Sequence, residues 1–183
     1  MTQGDGAPNA DLRRLIRTIP DHPRPGIQFR DITTLLLDPH GLALATERML
    51  AAVDGPIDLV AGIEARGFVF APALALALGA GVLLIRKDGK LPGATIAEDY
   101  ELEYGVDRIA IHVDAFAPGA RVLLVDDLIA TGGTARAAIR LLRKAGAQVT
   151  QASFVIDLPA LGGADALRAE GIAVHALVAF AGH

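Results

Sequence analysis

The residues best equipped for chemistry fall in one run, "RVLLVDDLIATGGTARAAI", residues 121 to 139. An aliphatic strand ends in Asp126 and Asp127, passes through Ala130, Thr131, Gly132, Gly133 and Thr134, and enters a helical pattern. Adjacent glycines let backbone N–H groups converge on one point, and the start of a helix adds partial positive charge there. Thr131 and Thr134 add hydroxyl donors. Such a loop cradles a phosphate. Two carboxylates would repel that phosphate, but they accept hydrogen bonds from sugar hydroxyls and suit a cation. A phosphate site beside a diol site matches a ribose 5-phosphate. A Gly-Gly turn alone would be an ordinary strand-to-helix connection with a capping Thr. The paired Asp, and a Thr on each side of the glycines, point to a ligand.

These groups need a scaffold, and the rest of the chain supplies one. "ADLRRLIRTI" has apolar residues at helical spacing, and "PDHPRPGIQFRDIT" is a Pro- and Gly-rich loop. "HGLALATERMLAAV" reads as a helix and "IDLVAGI" as a strand. "GFVFAPALALALGAGVLLI", residues 67 to 85, is uncharged and long enough to cross a bilayer. Pro72 and Gly79-Ala80-Gly81 favour a buried helix, a turn and a buried strand instead. "RKDGKLPGATIAEDYELEYGVDR" is polar and reads as a long loop. Strands over "RIAIHVDAF", "RVLLVDD", "VTQASFVIDL" and "IAVHALVAF" alternate with helices over "GGTARAAIRLLRKAG" and "GADALRAEG". Gly146 suits the end of the first of these helices. The alternation predicts an α/β fold, a mainly parallel twisted sheet with helices on both faces. Ligands of such sheets gather at the carboxyl ends of the strands, where the acid pair falls.

The 183 residues suit one domain, with residues 1–8 expected to be disordered. The net charge of −4 gives no basic footprint for nucleic acid. There is no Cys, which excludes disulfides, thiol catalysis and Cys-ligated metal, and fits the cytoplasm. No apolar signal segment opens the chain, and no membrane partner is expected. Neither a P-loop lysine motif nor a strand-linked G-x-G-x-x-G is present.

"VLLVDDLIATGGT" closely resembles the phosphoribosyl pyrophosphate signature of type I phosphoribosyltransferases. Three further segments resemble the adenine-using members: "PDHPRPGIQFRDIT", "AGIEARGFVFAPALA" and "LIRKDGKLPGATIAEDYELEYG". The likeness runs nearly without gap from Pro20 to Leu158. It implies the type I phosphoribosyltransferase fold, with a base-binding hood at residues 20–34 and a mobile active-site loop at residues 93–107. The implied reaction takes adenine and 5-phosphoribosyl 1-pyrophosphate to AMP and pyrophosphate, in a homodimer, with Mg2+ held mainly by substrate and water.

The resemblance also assigns residues. Arg66, with Glu64 and Ala65, belongs to a pyrophosphate loop, and a non-proline cis peptide is expected at Glu64–Ala65. Lys87 and Lys90 approach the pyrophosphate, Lys90 from a neighbouring subunit. Phe29 forms an aromatic platform for the base, backbone groups of Gln28 and Arg30 read its edge, and Leu158 packs on the opposite face. Glu103 handles the proton of the adenine imidazole ring, and Tyr104 seals the site over the ribose. Two rivals stand beside this reading: a purine-sensing regulator, for which "ADLRRLIRTIP" is too short a DNA-binding module, and a relative selective for another purine.

Overall fold

The computed structural model describes residues 9–101 and 105–182. Residues 1–8, expected to be disordered, lie outside that range, as do Glu103 and Tyr104. The core is a seven-stranded sheet of order β5-β6-β4-β3-β7-β8-β9. Its parallel strands are β4 (Gly81–Lys87), β3 (Leu59–Ile63), β7 (Arg121–Ile129), β8 (Gln148–Asp157) and β9 (Ala173–Ala179). β5 (Thr95–Glu101) and β6 (Val106–His112) form an antiparallel hairpin on the edge beside β4.

β7 shows why the strands are apolar. Val122 and Leu124 face one hydrophobic cluster while Leu123 and Val125 face another. Side chains alternate across a strand, so a strand covered on both faces must be apolar throughout. On the first face lie α5 (Gly133–Lys144) and α6 (Gly163–Ala169). On the second lie α1 (Ala10–Leu15), α2 (Thr33–Leu37), α3 (Pro39–Ala51) and α4 (Gly67–Leu78). The apolar stretch 67–85 is α4, a turn through Gly79 at φ +66°, and β4. Among the described residues no helix is long and apolar enough to cross a membrane.

Two stretches depart from the expectation. The helix expected over residues 10–19 stops at Leu15, and Arg17–Pro20 forms β1. β1 pairs antiparallel with β2 (Gln28–Asp31), inside the stretch expected as a loop. An ion pair between Arg17 and Asp31 and an Arg30–Thr18 hydrogen bond of 2.5 Å hold the two together. The polar stretch expected as a long loop contains β5. Glu98 bonds Arg140 of α5 at 2.8 Å, and Asp99 pairs with Arg108 of β6. Acids satisfied by distant partners let a polar segment hold strand geometry at an edge.

The β1–β2 ribbon is fastened to the far edge of the sheet. Phe180, just past β9, is flanked by guanidinium groups, Arg13 at 4.4 Å and Arg30 at 4.5 Å from its ring centre. Arg13 also donates to the Ala179 carbonyl at 2.5 Å.

Candidate active site

A cleft of about 350 Å³ opens at the carboxyl ends of β3 and β7. Glu64, Arg66, Lys87, Asp126, Asp127 and the loop Ala130–Thr134 line it together. The sequence placed these residues in one site, and they converge there. The loop runs into α5, whose cap residue Gly132 takes φ +81° and offers no side-chain cap. The first amides of that helix therefore lack intrahelical partners, and Gly133 and Thr134 line the cleft.

The loop is buttressed from below by a glycine that the sequence did not single out. Gly163 donates its N–H to the Ala130 carbonyl at 3.0 Å. A Cβ on Gly163 would stand 2.4 Å from that carbonyl oxygen and 2.5 Å from the Gly132 nitrogen. No side chain fits between α6 and the loop.

The acid pair forms the floor. Asp127 is buried at 2% exposure, while Asp126 keeps partial access to the cleft. The Asp127 N–H donates to Asp126 Oδ1 at 2.8 Å. Burial, and then the charge of Asp127, push the Asp126 carboxyl up to about 8. Burial raises Asp127 as well, against the pull of Arg66. Arg66, at the start of α4, brings Nε to 3.0 Å from Asp127 Oδ2. That ion pair lies off the line of a hydrogen bond, so Oδ2 keeps its accepting capacity. Asp127 Oδ2, buried without a hydrogen-bond donor, is an acceptor that a sugar hydroxyl could satisfy.

The opposite wall carries cations. Arg86 bonds Glu64 through Nε at 2.9 Å, and the Lys87 N–H donates to the same carboxylate at 2.8 Å. These contacts, Arg86 foremost, hold the Glu64 carboxyl below its usual range. The Glu64–Ala65 peptide bond is cis, where the resemblance put it. Lys87 pairs with Asp107, and the Tyr100 hydroxyl donates to that aspartate at 2.9 Å. Asp107 and Tyr100, unlike Lys87, were not picked out from the sequence. Only the β5–β6 register, which sets Tyr100 opposite Asp107, brings the two to the cleft wall.

The remaining predicted residues lie around the cleft rather than in its lining. Phe29 sits on β2 with the Arg66 guanidinium 5.8 Å from its ring centre and His22 packed edge-on at 5.2 Å. Gln28 and Arg30 flank it on the ribbon. Leu158 is buried, its N–H bonded to the Ile129 carbonyl at 3.0 Å. Lys90 stands in the exposed turn after β4.

The phosphoribosyl transferase domain model matches residues 37–166. The chain is 59% identical over 173 residues to an adenine phosphoribosyltransferase of Maricaulis maris, covering 94% of this chain and 99% of that one. Its fold superposes on the adenine phosphoribosyltransferase of Rhodothermus marinus with TM-score 0.86 at 49% identity, covering 93% and 97% of the two chains. The Saccharomyces cerevisiae enzyme, solved with an imino-altritol bisphosphate and adenine, matches with TM-score 0.81 at 37% identity over 92% and 97%. A glycine-rich loop following an acid pair, on a chain this similar over nearly its whole length, places the protein in the adenine phosphoribosyltransferase family.

Proposed function

We infer that this cleft transfers a phosphoribosyl group to adenine, giving AMP and pyrophosphate in purine salvage. The observation that carries the inference is the loop from Asp126 to Thr134, which sets carboxylates beside the uncapped start of α5. In our reading the amides and hydroxyls of Thr131 to Thr134 hold the 5-phosphate. Asp126 and Asp127 accept from the ribose hydroxyls. Arg66 and Lys87 face the pyrophosphate, with Lys90 reaching that of a neighbouring subunit.

Chemistry follows from charge. As the anomeric C–O bond breaks, the ribose becomes cationic and the pyrophosphate gains charge. Fixed cations at the leaving group stabilise that transition state more than the ground state. A nitrogen of the adenine imidazole ring bonds to the anomeric carbon and gives up its proton, which we assign to Glu103. Tyr104 closes over the ribose and keeps water from the sugar cation. Phe29 and Leu158 bracket the base, while backbone groups of Gln28 and Arg30 read its edge. An edge read by backbone groups separates adenine from 6-oxopurines, because donor and acceptor exchange places there.

Mg2+ fits this donor set as a passenger on the substrate. Among the described residues no three acids or histidines gather as a cage. Asp126 and Asp127, the carboxylates on the cleft floor, would approach such an ion through water. When bound, the ion neutralises part of the pyrophosphate charge. We propose a homodimer acting in the cytoplasm. Leu76 and Val69 of α4 and Val82 and Leu84 of β4 leave apolar side chains exposed on adjoining elements, which suits burial against a second copy.

A base-competition assay tests the reaction. With the phosphoribosyl pyrophosphate donor and Mg2+, adenine should give AMP while guanine, hypoxanthine and xanthine give no nucleotide. Equal use of a 6-oxopurine would overturn the assignment.

A further inference from the structure

Resting on that reading, we propose that Asp107 is a positioning residue for the pyrophosphate half of the site: it fixes Lys87 at the cleft wall and couples it to the edge hairpin. Asp107 lies at the start of β6 and stands opposite Tyr100 in the β5–β6 ladder. Lys87 ends β4 and pairs with Ile109, two residues further along β6. Three strands thus deliver three side chains to one point. Asp107 Oδ2 accepts from the Lys87 ammonium and from the Tyr100 hydroxyl, the latter at 2.9 Å. Its Oδ1 accepts the Arg108 N–H at 2.9 Å.

The chain of contacts continues. Tyr100 is 7% exposed, and with Lys87, Asp107 and Thr134 it lines the same cleft. Lys87, Asp107 and Tyr100 therefore form one polar cluster on the wall that faces the glycine-rich loop. In the chain, β5 and β6 flank residues 102–104, which include Glu103 and Tyr104, and Tyr100 and Asp107 join those two strands.

A lysine on a flexible stem has many rotamers, and one anchored bond selects among them. Lys87 has three ammonium protons, so it can serve Asp107 and still present donors to the cleft. Each partner keeps the other charged: Lys87 holds the Asp107 carboxyl below its usual range, and Asp107 raises Lys87. The competing idea is that Asp107 withholds Lys87 from pyrophosphate. The two make opposite forecasts.

Asp107→Asn and Asp107→Glu decide between them, measured beside wild type. For Asp107→Asn, the KM for the phosphoribosyl donor and the calorimetric Kd for pyrophosphate should both rise about tenfold, the equivalent of one charge-assisted contact. The KM for adenine and the Kd for AMP should stay within about twofold, since neither ligand reaches Lys87. Asp107→Glu should recover most of the loss. An unchanged or tighter pyrophosphate Kd overturns the proposal, and so does AMP affinity falling in step, which would mean a disturbed hairpin. If wild type makes no AMP, the assigned reaction fails instead, and the calorimetric comparison still decides the role of Asp107.

Discussion

Asp126→Asn should stabilise the empty protein, and by more as the pH rises. The folded carboxyl sits at about 8, against 3.8 for an ordinary aspartate. Between those values the native state keeps a proton that the unfolded chain gives up. Stability attributable to this group is therefore full below about pH 4 and declines toward pH 8, by up to about 1.4 kcal/mol per pH unit. Asn has nearly the same shape, keeps an oxygen for the Asp127 N–H, and has no proton to lose. Urea melts of both proteins at about pH 5.5 and about pH 7.5 should show the variant's advantage growing by about 2 kcal/mol, the upper bound being about 3 kcal/mol. Because Asp127 shares the site, the titration belongs to the pair. Ribose 5-phosphate should invert the picture. Its hydroxyls favour the ionised carboxylate, so wild-type affinity should climb with pH relative to the variant, which carries the same phosphate site. Stability curves that run parallel across the range would refute the reasoning.

Glu103→Gln should cut kcat by about a hundredfold or more with little change in KM, as expected for a lost proton acceptor; an unchanged kcat in steady-state assays removes that role. Gly163→Ala should cost about 1 to 3 kcal/mol in a urea melt, because its Cβ collides with Ala130 and Gly132 of the glycine-rich loop. It should also weaken AMP binding in calorimetry; an unchanged AMP affinity would remove the buttress from the site.

The main strand and the glycine-rich turn after it were readable because their signals are local. β7 announces itself by apolar continuity, and Gly132-Gly133 marks the turn into α5. β1 and β5 were hidden because their pairing is not. Arg17 needs Asp31, Glu98 needs Arg140, and neither partner is adjacent in the chain. The same distance concealed Asp107, which looks like a loop acid until the hairpin register puts it beside Lys87. Gly163 offered no signal because its role is to be small against a backbone that begins about thirty residues earlier.

The Phe180 clamp bears on any attempt to alter base preference. Arg30 follows Phe29 on the ribbon and lays its guanidinium on the Phe180 ring, reaching the Ala181 carbonyl at 3.4 Å as well. The ribbon proposed to face the purine thus takes its bearing from the end of the last strand. Libraries aimed at new nucleobases would do well to randomise Phe180 and its neighbours along with Phe29, because rotating a platform requires freeing its anchor.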